Sequence, residues 1–415
     1  MKIALLNIGT ELLRGRTVNT NAAYMGEALL NAGYAVDATL VIHDDGPVIT
    51  AAMVGLLDDH DVVLVTGGLG PTKDDITKKV LLELFGGEMV CHEPTLHRIE
   101  GFLKRLERPL LEHNRQQAFV PSSCEVLENE MGTAPGMAFR RGGKALISMP
   151  GVPFEMKWLL RERVIPWLQA RYPVARQISK VVRTAGIPES RMAEKMEAIE
   201  DQLDPHIAIA YLPSYDGTKI ELKLQGQPEE EEVLNAILLS AQAQVAALFS
   251  QYVYSLEDKQ PDQLLAEWLI ANHRSFATAE SCTGGEIAAK LVKHSGISAV
   301  FKGGVVAYMP EVKVAMLGVS AETISTNGIV SAEVAREMAD GVRNALGADF
   351  AISITGIAEA AKDAPADQQP QAWIGFAGPN GTQTLHIRLM KDRKVNIEIA
   401  AYAALVFALR VIQAS

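Results

Sequence analysis

The chain has 415 residues, 48% apolar and 21% charged, the balance of an ordinary globular protein with room for two or three folded units. Its 39 basic and 50 acidic residues leave a net charge of −11, which argues against a nucleic-acid backbone as the main partner, because phosphate neutralisation needs a basic face. Three cysteines (Cys91, Cys124, Cys282) without a Cys-x-x-Cys pair fit a reducing cytoplasm and exclude a zinc-finger framework. The apolar start Met1–Leu6 meets Asn7 and Glu11 too soon for a signal-peptide core, and the late apolar run 399–409 is short of a bilayer and stops at Arg410. The expectation is a soluble cytoplasmic protein that enters no membrane.

Along residues 1–170, apolar strands alternate with amphipathic helices. Strands are expected at 2–8, 35–42, 61–66 and 145–149, and helices at 21–31, 48–57, 75–85 and 154–160. Such alternation predicts βαβ units in a three-layer αβα domain built on a mainly parallel sheet. Pro150-Gly151-Val152-Pro153 precedes the last of these helices, and proline suits a helix start. From 176 to 255 the order is strand 178–184, helix 190–202, strands 207–212 and 219–224, and helix 229–248, a small α+β module with an assembly or spacer role. A third unit, 260–415, is again α/β. Its strands are expected at 275–279, 301–308, 350–354, 373–377 and 383–389, and its helices at 263–272, 286–292, 311–317, 332–345 and 396–412. Residues 360–371, rich in Ala, Asp, Pro and Gln, form a loop.

Two strand ends carry chemistry. After strand 61–66 comes Thr66-Gly67-Gly68-Leu69-Gly70-Pro71-Thr72-Lys73-Asp74-Asp75. Glycines there let backbone amides approach a phosphate at a helix start, and the aspartates offer hard oxygen ligands to a divalent cation. Equally, Asp74 or Asp75 serves as a helix cap. Gly9-Thr10-Glu11 and Pro150–Glu155 feed the same sheet edge, where ligands of open α/β sheets collect. In the third unit, Glu280-Ser281-Cys282-Thr283-Gly284-Gly285 follows a strand, with Tyr308 and Lys313 on and after the next one. Ser281 is a candidate nucleophile with a candidate base, or else the turn only caps a helix. A short-chain-dehydrogenase reading of Ser, Tyr and Lys fails, since the Tyr–Lys gap is five residues and no dinucleotide loop is present.

These strings, with Asn19-Thr20-Asn21, Asn114–Ala118, Gly132–Gly136, Val330–Asp340 and Ile354–Ile357, resemble the CinA (competence/damage-inducible) family over essentially the whole chain. The resemblance implies a molybdopterin-binding-like domain, similar to metal-dependent ADP-ribose pyrophosphatases. It also implies a C-terminal amidase that hydrolyses nicotinamide mononucleotide to nicotinate mononucleotide and ammonia without a cofactor. Ser281, Tyr308 and Lys313 match its active-site groups. Thr283, Gly284, Gly285, Thr355, Gly356 and Arg393 are expected to bind substrate. In the first domain, Thr10, Glu11, Asn21, Gly67, Gly68, Gly70, Thr72, Gly151 and Glu155 are expected at the nucleotide, and Asp74 and Asp75 at a divalent metal. The family also implies a homodimer.

Amide hydrolysis would then run through attack of Ser281, with Lys313 taking its proton. Burial must bring that lysine down from about 10.4 to near neutrality. Tyr308 orients the amine or relays the proton to ammonia, and amides around Thr283–Gly285 form the oxyanion site. The sequence departs from the family at Glu359, where Gly-Pro is usual, and at Ile397, where an arginine is expected; both changes disfavour a substrate phosphate. Three readings follow: an active amidase with an appended pyrophosphatase, a pyrophosphatase alone, or a non-enzymatic scaffold in DNA uptake or repair.

Overall fold

The computed structural model describes every residue except 71–74, 106, 175, 361–363, 366–367, 391 and 415, and only the backbone of 113, 176 and 228. The chain forms two compact units, Met1–Ile178 with Gln225–Leu234, and Ser179–Leu224 with Asn235–Ser415.

In the first unit, strands β1 (Ile3–Ile8), β2 (Val36–Ile42), β3 (Val62–Thr66), β6 (Glu125–Leu127), β7 (Gly136–Arg141) and β8 (Lys144–Met149) make one sheet in the order β2-β1-β3-β8-β7-β6. Strands β2, β1, β3 and β8 run parallel, and β7 and β6 return antiparallel. Strands β1 and β3 are buried throughout, which is why they read as unbroken apolar runs. Met25, Leu29, Met156 and Leu159 from helices Thr20–Asn31 and Pro153–Leu159 cover one face, joined by Leu160 just beyond. Ile49, Met53, Val80 and Leu81 from helices Gly46–Asp59 and Thr77–Phe85 cover the other. The mainly parallel αβα layering expected from the alternation is present.

Residues 86–141, left without elements in the sequence reading, hold β4 (Met89–Cys91), β5 (Phe119–Pro121), β6, β7 and helix Glu93–Arg105. Three-residue strands are too short to show a period. The β7–β8 hairpin turns through Gly142 and Gly143, both at positive φ (57° and 85°), as a tight two-residue turn requires. The helix from Pro153 runs past the expected stop near 160. A π-helical turn, Leu160–Val164, links it to Ile165–Arg171 and accommodates Pro166, which has no amide to donate.

The middle module is a four-stranded sheet, β9 (Arg176–Thr184), β10 (Ala208–Ser214), β11 (Gly217–Gly226) and β12 (Val253–Ser255), in the order β10-β11-β9-β12. The last sheet contains β13 (Phe276–Glu280), β14 (Phe301–Val306), β15 (Phe350–Ile357), β16 (Gln371–Gly378) and β17 (Gly381–Arg388), in the order β14-β13-β15-β16-β17. Strands β14, β13 and β15 are parallel, while β16 and β17 are antiparallel. Alternate residues serve two cores. Phe276, Ile352, Ile354 and Ile374 meet helices Pro261–Ala271, Glu286–Leu291 and Arg393–Gln413. Ala277, Ala279, Ala351 and Ala377 meet helices Pro310–Leu317 and Ala332–Leu346. The closing helix is 21 residues, longer than the apolar run read from sequence and long enough to cross a bilayer. It buries Ala400, Ala404, Leu405, Ala408, Leu409 and Ile412 against the sheet, which makes it a core helix here.

Candidate active site

The carboxyl ends of β13, β14 and β15 form the edge where the third unit's motifs meet. Ser281 follows β13 directly, and its amide donates to the Ile354 carbonyl (3.0 Å), which fixes the turn to β15. Glu280 is 1% exposed, so its charge must be satisfied inside. It accepts from the Thr283 hydroxyl (2.7 Å) and from the amides of Gly285, Ile287 and Ala288 (3.0, 3.0 and 2.9 Å). Gly284 and Gly285, at φ 65° and 105°, let the chain wrap this carboxylate and enter helix Glu286–Leu291. The serine is therefore not the cap of that helix. Glu280 does that work, and Ser281 is left for another task.

Lys313 lies in helix Pro310–Leu317 and is 0% exposed. Its Nζ stands 2.9 Å from Ser281 Oγ and donates to the Ala307 carbonyl at 2.6 Å. Burial pushes the ammonium down to about 8, with no carboxylate acting to restore it. Cys282, 7% exposed, is pushed up to about 11 by burial and keeps its proton near neutrality. Above the pair lies a cavity of about 250 Å³ lined by Ser281, Cys282, Tyr308, Ile329, Thr355, Gly356, Glu359 and Arg393, among others.

The structure thus places Ser281, Tyr308 and Lys313 together and brings Thr355, Gly356 and Arg393 to the same cavity. Tyr308 is 53% exposed just beyond β14, and its hydroxyl accepts from Arg393 Nη2 at 2.7 Å rather than bonding the Ser281–Lys313 pair. The oxyanion site expected around 283–285 also needs redrawing. The Gly285 amide is taken by Glu280 and the Gly284 amide by the Ser281 carbonyl (3.1 Å). Among the described residues, the amides of Cys282 and Thr283 have no protein oxygen to donate to. Sequence reasoning missed Glu280, although its place beside the serine was visible, and missed Ala307, whose carbonyl carries no side-chain signal.

In the first unit a cavity of about 410 Å³ opens at the ends of β1, β3 and β8, lined by Glu11, Gly67, Gly68, Gly70, Asp75, Gly151 and Glu155 together with Asp44, Gln117 and Ala134. A second cavity of about 130 Å³ shares Ile8, Glu11 and Gly151 with it and adds Asn21. Asn21 Nδ2 donates to the Gly151 carbonyl (2.8 Å), while its buried Oδ1 has no partner. Thr10 stands off the cavity; its amide donates to Asp44 Oδ2 at 2.8 Å. Thr72 and Asp74 lie outside the described residues. A Cβ on Gly67 would collide with the Ile8 carbonyl oxygen, and one on Gly68 with the Thr77 hydroxyl, so only glycine keeps this floor open. Burial raises Glu155 above the usual carboxyl range although Asn129 Nδ2, at 2.7 Å, opposes it. Lys78 donates to the Gln117 and Phe119 carbonyls (2.8 and 3.0 Å) behind the cavity, and burial lowers it to about 8. Among the described residues, no three carboxylate, histidine or cysteine side chains converge to hold a metal by themselves.

Comparison with known proteins gives the family. Three family models match in series: a probable molybdopterin binding domain over residues 4–170, the damage-inducible protein CinA KH domain over 179–255, and the CinA C-terminal domain over 258–412. A CinA-like protein of Flavobacterium psychrophilum is 39% identical across 98% of this chain and 97% of its own length. A putative competence-damage inducible protein of Acetivibrio thermocellus is 38% identical across 95% and 94%. The crystal structure of the protein CinA from Thermoplasma acidophilum overlaps 40% of this chain and 97% of its own, at 39% identity and a TM-score of 0.36. The fold and edge sites define an α/β protein with a molybdopterin-binding-like domain ahead of a CinA C-terminal domain. The chain belongs to the CinA family.

Proposed function

We propose that the C-terminal site is an amidase acting on nicotinamide mononucleotide, releasing ammonia and nicotinate mononucleotide. The observation that carries this reading is the buried Lys313 amine 2.9 Å from Ser281 Oγ beneath an open cavity. With the amine at about 8, roughly a tenth of it is neutral at pH 7. In that form its lone pair accepts the Ser281 proton while one N–H stays on the Ala307 carbonyl. Ser281 Oγ then bonds to the carboxamide carbon, and the carbonyl electrons move to oxygen, within reach of the free Cys282 and Thr283 amides. Collapse breaks the C–N bond, and the Lys313 ammonium gives its proton to the departing nitrogen. Water, deprotonated by the same amine, cleaves the acyl ester and restores Ser281. Tyr308, held by Arg393, forms a wall of the cavity and orients the substrate.

A second reading is favoured by the first unit's cavity. Four carboxylates, Glu11, Asp44, Asp75 and Glu155, line it without a lysine or arginine among the described residues. These carboxylates would hold a divalent cation, which would offset their repulsion of a diphosphate. We therefore assign this site to diphosphate hydrolysis of ADP-ribose or a similar dinucleotide. Among the described residues, these carboxylates do not complete a metal site alone. A nucleic-acid scaffold fits poorly. KH domains clamp the backbone with a Gly-x-x-Gly loop, whereas the β9–helix loop here, Ala185-Gly186-Ile187-Pro188, has one glycine, and residues 176–255 carry seven basic against twelve acidic side chains.

One assay separates these readings. The full chain is incubated with nicotinamide mononucleotide and with ADP-ribose, with and without a divalent metal, and ammonia and AMP are measured. Ammonia without metal, lost in Ser281→Ala, supports the amidase; unchanged ammonia release in that variant contradicts it. AMP that forms only with metal supports the second reading, and no AMP under either condition contradicts it.

A further inference from the structure

Among the described residues, the lining of the amidase cavity offers a substrate phosphate a single cation, Arg393. Arg393 is hydrogen-bonded to Tyr308, Glu359 brings a negative charge to the rim, and Ile397 packs against the apolar core. The two nearby helix N-termini carry side-chain caps. Asp392 accepts from the Lys394 and Val395 amides (3.1 and 3.2 Å), and Ser331 accepts from Val334. These caps occupy three of the amides that the two helix starts offer.

The sheet itself leads from the cavity to a cation. Thr355 and Ile357 line the cavity, and β15 pairs them with Trp373 and Gln371 on β16. Trp373 and Gln371 pair in turn with His386 and Arg388 on β17. Directly paired residues, and residues two apart along a strand, share a face of a sheet. Two rows, Thr355–Trp373–His386 and Ile357–Gln371–Arg388, therefore extend along one face from the cavity wall. Helix Ala332–Leu346 covers the other end of that face, where the Ala335 carbonyl meets Ser353 Oγ (2.5 Å) and Asp340 meets Thr382. Arg388 and His386 remain exposed. The His386 ring stacks on Trp373 with centroids 4.7 Å apart, and its Nε2 is 2.8 Å from Gln371 Oε1. Arg388 has no carboxylate partner among the described residues. It lies two strand spacings, about 10 Å, from Ile357.

We infer that Arg388 is the anchor for the substrate's phosphate, reached over the Trp373–His386 surface, and that it takes the part which Glu359 and Ile397 deny to the cavity's other side. This rests on the amidase reading and adds a specificity-determining residue to it. A guanidinium there grips a phosphate through charge-assisted hydrogen bonds and is irrelevant to a substrate that lacks one.

The test compares nicotinamide mononucleotide with nicotinamide riboside, its phosphate-free counterpart, on the full chain and on Arg388→Gln, whose exposed position spares the fold. The expected result is a KM for the mononucleotide raised about tenfold or more, the range for a lost hydrogen bond to a charged group, with kcat and the riboside kinetics unchanged. His386→Ala should give a smaller change of the same pattern. Equal effects on both substrates, no effect on either, or a phosphate-dependent loss found only in Arg393→Gln would overturn the assignment. If the wild-type chain releases no ammonia from either compound, the amidase reading fails on its own. Calorimetric titration of the mononucleotide into wild type and Arg388→Gln then decides the anchor separately: weaker binding in the variant upholds it, equal or absent binding refutes it.

Discussion

Lys313 sets stability against activity. The unfolded chain holds this proton up to about 10.5, whereas the folded chain releases it at about 8. Below pH 8 the buried charge costs about 3 kcal/mol, and folding stability is expected to rise as pH goes from about 8 to about 10.5. Lys313→Met should accordingly abolish ammonia release and stabilise the chain at pH 7 by about 1 kcal/mol, the charge term less about 1 kcal/mol for each of the hydrogen bonds to Ala307 and Ser281. Denaturant unfolding checks this, and a variant less stable than wild type would show that the amine is not buried as a charge. Cys282→Ala is expected to keep ammonia release, because a thiol held near 11 is not a competing nucleophile; loss of turnover in a folded variant would contradict that.

At the scale of the element, glycines decide how closely the layers approach. A Cβ on Gly375 in β16 would collide with the Ala335 carbonyl and the Ser353 hydroxyl, where helix Ala332–Leu346 crosses the sheet. Gly375→Ala should destabilise the second unit by about 1–3 kcal/mol, as overpacking does, seen as a lower thermal transition of the full chain; an unchanged transition would mean that helix and strand are not in contact. Much of this layer was legible beforehand. Strands β1, β3 and β15 carry apolar runs that alternate with helices, and the Ser281 turn sits where such a sheet places ligands. What escaped the sequence was short or nonlocal. Strands of three residues have no measurable period, the antiparallel return of β7 and β6 depends on a glycine hairpin, and the π-helical turn around Pro166 is invisible to a rule that stops helices at proline. Site residues followed the same division. Ser281 and Lys313 announce themselves by type, but the occupation of the Gly285 amide by Glu280 is a matter of three-dimensional accounting.

At the scale of the whole molecule, two edge sites with different chemistry sit on two separately built sheets, one lined by carboxylates and one by a hydroxyl–amine pair. Ser281→Ala should therefore lose ammonia release and retain any release of AMP from ADP-ribose; loss of both would mean the sites are not independent. The net charge of −11 predicts weak DNA binding that vanishes with modest salt. The most direct test of the account is the pH dependence of kcat/KM for ammonia release from nicotinamide mononucleotide by the intact chain. A neutral Lys313 acting on Ser281 predicts a rise of about tenfold per pH unit below an apparent pKa near 8, then a plateau. A profile flat from pH 6 to 9, or one whose rise survives in Lys313→Met, would contradict it.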